Sequence, residues 1–442
     1  MNGSRRLAGL AVLAALCLLV GSVVGASAQA PAGQDAGAKP QYTMAEYNAY
    51  TAAQATKDPA QQIKQLDDFI SKYPNSALLI YIYPLYDNAY SQLKNFPKVI
   101  EYADKLLALG DKIEAPVRYQ AYFARAYAYT NINPPPTDPE MAKKARQAAL
   151  DGLKTLNELK KPDNMSQEDF SKAMKSPAIL FNYTAATTSM TLKDYPAAIE
   201  SNKAVLVLTP DDAITSYHIG QAYMAMTPPQ QMDAFWYFAK AVTAKGANPA
   251  QSNQVKTYLR KLIINYQQAA CDNLTDAELN ELLQLAGSSA DRPSTYTLPT
   301  SADLDAARKD MTIASVITDL KAGGDKAKVT WLASCGLEFP DVPGKLIEVT
   351  PGADTQLKVA FVTSDAEFDA KNTPDMDVKV VGQPEAAKLE KDNPVRFTAT
   401  LTTYDPDPAF MLHWDKAKVN AEDIPKEKEK GKKKRPTTKK SQ

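Results

Sequence analysis

Two apolar stripes separated by a two-proline turn set the first constraint on this chain. In "SYHIGQAYMAMTPPQQMDAFWYFAKAV", residues 216–242, Tyr217, Ile219, Gly220 and Tyr223 recur at three- and four-residue spacing. Ala234, Phe235, Phe238, Ala241 and Val242 do the same after Thr227-Pro228-Pro229. Such spacing predicts two amphipathic helices, and so short a turn makes them an antiparallel hairpin. Gly220 interrupts the first stripe at a cost of about 1 kcal/mol in helix propensity against alanine. Close backbone approach accounts for it: Gly220 faces the neighbouring helix, with Ala234 and Ala241 opposite.

The unit recurs. Ala186 lies 34 residues before Gly220, and "LKDYPAAIESNKAVLVLTPDD" follows it with Ala198, Ile199, Val205 and Leu208 on one face. "LKNFPKVIEYADKLLALGD" repeats the pattern from Leu93, after a helix carrying Tyr83, Tyr86 and Tyr90. Asp58-Pro59 opens an earlier copy with Ile63, Leu66, Phe69 and Ile70. A fifth unit is irregular: Phe123, Ala124 and Tyr127 mark its first helix, Pro134–Pro136 interrupt it, and Thr137 and Glu140 have capping-box spacing. Residues 161–176 read as an inserted loop and short helix. Beyond 250 two further helices are expected, the second capped by Thr275 and Glu278.

A period near 34 residues with small, aromatic and terminal-proline positions resembles the tetratricopeptide repeat family. The likeness is close over 179–249, good over 80–111 and loose over 43–74. It implies a mainly α fold, an α-solenoid of helical hairpins over 43–290. It also implies a concave groove lined by the first helix of each unit. The groove residues would be Tyr81 and Asn88, Arg118 and Arg125, Tyr183, Thr187 and Met190, and Tyr217, Gln221 and Met224. The resemblance implies a protein-binding scaffold, with other proteins of the envelope as partners.

The ends differ from the body. Arg5 and Arg6 precede an apolar run, Leu7–Val24, and Ala26-Ser27-Ala28 is a small-x-small site. That pattern reads as a secretory signal over 1–28, cut after Ala28, with 29–42 a flexible linker. An uncleaved inner-membrane anchor is the alternative. Residues 426–442 carry nine Lys/Arg and two Glu, leaving residues 29–425 with 40 basic and 49 acidic side chains. An acidic body with a basic, disordered tail (421–442) argues against nucleic acid as the target and fits a tether to anionic lipid or polymer. Export would leave Cys271 and Cys335, able to pair in an oxidising compartment or to stay as buried thiols.

After Ser288 the texture changes. Residues 291–325 read as a linker and one amphipathic helix over 301–323. Over 326–420 the period drops to two. Leu357, Val359 and Phe361 alternate with polar neighbours, as do Val378 and Val380, then Val395, Phe397, Ala399 and Leu401, then Phe410, Leu412 and Trp414. With "AKVTWLA" and "GKLIEVT" this predicts about six strands in a small barrel or sandwich. The strand order and the ending "VRFTATLTTYDPDPAFMLHWDKAKV" loosely resemble an oligonucleotide/oligosaccharide-binding (OB) fold. That resemblance implies, as an alternative function, a module for carbohydrate or an envelope polymer.

Chemistry has few footholds. His218 and His413 are the two histidines, each read as a helix or strand position rather than a ligand, and neither has zinc-site spacing. No nucleophile elbow or phosphate loop occurs. Asp67-Asp68 and Asp211-Asp212 fall at turns or solvated faces, and "YDPDP" reads as a strand-connecting turn. The expectation is a non-catalytic protein without cofactor or metal.

Overall fold

The computed structural model describes residues 41–425 except 270, 272 and 407. The signal segment and the run 426–442 lie outside the described residues. The protein is mainly helical, with sixteen α-helices among the described residues, and ends in a small closed five-stranded β-barrel. Two compact units divide it: one takes residues up to 256 plus 286–292, the other 257–285 plus 293 onward.

The first unit is built from α1 (Met44–Ala55), α2 (Pro59–Lys72), α3 (Leu79–Gln92), α4 (Phe96–Leu107), α5 (Ala115–Asn131), α6 (Pro139–Glu158), α7 (Gln167–Thr191), α8 (Tyr195–Leu208), α9 (Ala213–Ala225) and α10 (Gln231–Thr243). Each helix packs on the one before it and the one after it, and α5 also touches α3 and α7. The helix starts follow local chemistry. Asp58, Asn95, Asp138, Asp194 and Asp212 accept a backbone N–H of the first turn, and proline fills an early position of α2, α4, α6 and α8, where no N–H is needed. Asp138, not Thr137, caps α6. Its carboxylate reaches two amides, and Pro139 fixes the following turn.

One turn is used twice. Leu93-Lys94-Asn95 and Leu192-Lys193-Asp194 both put lysine in the left-handed region, at φ 55° and 59°. In each, the third residue's N–H reaches back five positions at 2.9 Å, Asn95 to Tyr90 and Asp194 to Ser189. This is the Schellman closure of a helix. The residue whose backbone N–H closes one helix then caps the next with its side chain.

Gly220 is buried in α9, and a Cβ there would lie 2.7–3.0 Å from the Phe238 ring. The glycine therefore makes room for an aromatic face, not for the small residues Ala234 and Ala241. Gly152 stands in the same relation to the ring of Phe181. The expected loop and short helix at 161–176 is also corrected. From Gln167 the chain is helical through the buried Pro177 to Thr191, a single α7 of 25 residues.

Helices α11 (Pro249–Gln267) and α12 (Asn273–Ser288) each run across the division between units. Thr275 lies inside α12 and is buried, so it caps nothing, and Glu278 accepts from Gln267 Nε2 at 2.8 Å. In the second unit follow α13 (Ser301–Lys309), α14 (Ile313–Ala322) and α15 (Gly324–Ser334). The single helix expected over 301–323 is two, because Thr312 caps a new start. "AKVTWLA" is helical, not a strand: Ala327, Thr330, Trp331 and Ser334 form one buried face at i, i+3, i+4, i+7.

The barrel strands are β1 (Glu338–Thr350), β2 (Thr355–Phe361), β3 (Met376–Val380), β4 (Pro394–Asp405) and β5 (Met411–Val419), with a short α16 (Asp365–Ala370) after β2. Their order around the barrel is β1-β2-β3-β5-β4, with β3 against β5 parallel and the other pairs antiparallel. The alternation read from the sequence points inward: Leu357, Val359, Val378, Val380, Val395, Phe397, Ala399, Leu401, Leu412 and Trp414 are buried together. Ile313, Val316, Ile317 and Leu320 of α14 and Trp331 of α15 belong to the same core. Cys271 and Cys335 are joined by a disulfide within this unit, their Cα atoms 5.8 Å apart. The three tryptophans are divided, Trp236 in α10 and Trp331 and Trp414 in the second unit, all buried. Among the described residues no helix is long and apolar enough to cross a membrane.

Candidate functional site

Helix α3 reads "LIYIYPLYDNAYSQ", and Asp87 is its only charged residue. Two stripes run along it. Tyr83, Tyr86 and Tyr90 form one, packed on Tyr102 of α4. The Tyr86 and Tyr102 rings stack at 3.8 Å and 9°, and the Tyr86 hydroxyl donates to Asp67 at 2.6 Å. Burial and that carboxylate push the Tyr86 phenol well above its usual range. Asp67 is thus a structural acceptor, and Asp212 a helix cap.

Pro84, Asp87, Asn88 and Ser91 form the other stripe, at i, i+3, i+4 and i+7. Gln120, Phe123, Ala124 and Tyr127 repeat that spacing on α5. The two stripes face each other across a cavity of about 150 Å³, completed by Leu85 and by Leu106 of α4. Pro84 has no N–H for the Ile80 carbonyl. Phe123 and Tyr127 lie parallel at 6.4 Å, held edge-on by Phe181 and Phe96. Asp87 is 7% exposed, and its Oδ1 has no hydrogen-bond partner. Burial alone raises its carboxyl well above the usual range. The result is a small, mostly apolar recess with one unpaired acid in its wall.

Asn88, exposed, is the one sequence-predicted groove residue at this recess. Arg125 is corrected: it is 5% exposed and ion-pairs with the half-exposed Asp104 of α4, so it binds α5 to α4 and is not open to a partner. Seven-residue spacing put it level with Arg118, but Arg118 lies near the start of α5, where it donates to the Ile113 carbonyl at 2.9 Å and pairs with Glu158 at 3.7 Å. Asp104→Ala would strand the buried guanidinium and is expected to cost about 1–3 kcal/mol, read as a lower melting temperature. An unmoved transition would show the pair to be without structural weight.

Tyr81 is half-buried against the Tyr50 ring at 5.8 Å. Tyr183 and Tyr217 flank His218 at 6.2 and 6.3 Å, bringing residues of α7 and α9 together. Tyr217 also packs on Phe238, and exposed Gln221 donates to its hydroxyl at 3.2 Å. Met190 packs against the Ile199–Ile219 cluster; Thr187 and Met224 are half-buried. His413, on β5, contacts Asp405 at 2.8 Å and Asp377 at 3.4 Å, a strand-face cluster. Among the described residues no three His, Cys, Asp or Glu side chains are grouped to hold a metal.

No protein-family model and no curated protein matches this sequence. The functional reading rests on the geometry above.

Sequence reasoning missed Asp87. The signal was present: a lone acid in a helix otherwise without charge, one residue before Asn88.

Proposed function

We propose that this chain is an exported, non-catalytic scaffold of the tetratricopeptide type in a bacterial envelope. It holds a peptide or helix of a protein partner against the first helices of its hairpins. The observation that carries this reading is the repeated unit: the same lysine turn at 94 and 193, each followed by an Asn or Asp cap and a helix-entry proline. The contacts of α5 with both α3 and α7 support stacking of first helices beside one another. Tyr183, Tyr217 and Gln221 then form a half-open aromatic and amide surface of the kind that anchors a partner. The rigid ring-on-glycine packing keeps that surface formed before binding, which lowers the ordering cost. The Cys271–Cys335 disulfide supports an oxidising destination.

A second reading has its own observation. The barrel order with a parallel β3–β5 pair is similar to that of OB barrels, which favours a glycan or envelope-polymer module acting through the second unit.

A photo-crosslinking residue placed in the full chain at Gln221 or Asn88, in the native compartment, tests the choice. Expected is a protein adduct from both positions and none from Val207, an 80% exposed position on α8. Equal yields from all three would remove the groove, and glycan adducts from the same residue placed at Thr403 on β4, with none from Gln221 or Asn88, would transfer the function to the second reading.

A further inference from the structure

A buried acid without a partner is costly. Taking a carboxylate out of water loses several kcal/mol unless a counter-charge or hydrogen bonds replace the solvent. Asp87 has neither on Oδ1, although the residue is buried. A wall of aromatic and aliphatic groups would normally call for leucine or asparagine there. The acid is instead placed at a recess that is open to one side, with the amides of Asn88 and Gln120 near its rim.

We infer that the recess between α3 and α5 is a specificity pocket for a basic side chain of the bound segment, an ammonium or guanidinium on an alkyl stem. The stem would lie against Leu85, Phe123, Ala124 and Tyr127, and the cation would meet the Asp87 carboxylate. The cavity matches in size those that take a benzene ring in other proteins. A cation supplies the missing partner, and the low-polarity walls strengthen the pairing relative to water. A neutral isostere would gain the walls alone, so the pocket selects charge and length together. The net acidity of residues 29–425 adds a long-range pull of the same sign. This inference rests on the groove reading and names what one position of it takes.

The test uses the full-length protein and three probes: n-butylammonium chloride, n-butanol, and a capped heptapeptide with lysine or norleucine at its centre. Methyl NMR signals of Leu85, Leu106 and Ala124 report occupancy. Butylammonium and the lysine peptide are expected to shift them, with butanol and the norleucine peptide at least tenfold weaker. Asp87→Asn is expected to abolish the preference for charge while melting no lower than the parent, because it replaces a buried acid without a partner on Oδ1 by an uncharged group of the same size. An undiminished preference in Asp87→Asn overturns the inference, as does silence from both cationic probes. Binding of the free amine but not of the lysine peptide would make this a small-amine site and overturn the assignment to a partner's side chain. If Asn88 and Gln221 still crosslink a protein while these probes fail, the groove reading survives and the pocket is refuted.

Discussion

Gly220→Leu is expected to lower the melting temperature of the helical unit by about 6–12 °C, from a loss of about 3 kcal/mol or more. A Cβ alone would sit 2.7–3.0 Å from three atoms of the Phe238 ring, and that ring is fully buried between α9 and its neighbours, with nowhere to turn. The milder Gly220→Ala isolates the packing effect. Helix propensity favours alanine by about 1 kcal/mol, so a net destabilisation means that the collision outweighs it. Gly287→Ala is the control. It is helical and exposed, and its nearest side-chain atom would be 3.8 Å away, so the same substitution should stabilise by about 1 kcal/mol. Opposite signs at the two sites identify ring-on-glycine contact as the element that sets helix spacing. Like signs, or an unmoved transition in Gly220→Leu, would dismiss it.

Loss of the Cys271–Cys335 bond is expected to affect the other unit. The bond closes a segment of 64 residues, and the chain-entropy account assigns such a closure up to about 4 kcal/mol. For a unit of this size that corresponds to about 8–16 °C. Cys335 is fully buried and packs with Trp331 and the barrel residues, so Cys335→Ser also leaves a hydroxyl in an apolar core. Cys271→Ser separates the two effects, since Cys271 lies at the edge of that core. Both variants should lower the transition of the second unit and leave that of the helical unit in place. A second-unit transition unchanged in Cys271→Ser would show the crosslink to be incidental to folding.

The sequence carried the helical hairpins and the barrel's inward alternation because both arise from local periodicity. Asp58-Pro59 and the Val378/Val380 alternation depend on neighbours a few positions apart, and the chain realises them as read. Long-range partners were the illegible part. Gly220 was assigned to its hairpin correctly, yet the group filling its space is Phe238 rather than Ala234 or Ala241. Size complementarity works here by one large group against none. Arg125 and Arg118 share a face by spacing, but their distance from the helix ends decides what each meets. "AKVTWLA" satisfies both a two-residue and a helical period over so few positions, and burial of Thr330 and Ser334 selects the helix. Residues 161–176 read as a separate loop and short helix, yet Pro177, packed into the interior, interrupts one hydrogen bond without ending α7.

The distribution of indoles has a practical consequence. Trp236 is the only tryptophan of the helical unit among the described residues, while Trp331 and Trp414 both lie in the unit that holds the barrel. A conservative Trp236→Phe exchange therefore leaves tryptophan fluorescence, excited selectively at the red edge of the indole band, to the barrel side alone, and a Trp331, Trp414 double exchange to phenylalanine leaves it to the hairpins. The chain thus contains its own pair of separable optical gauges, and the order in which the halves lose structure can be read without attaching a dye.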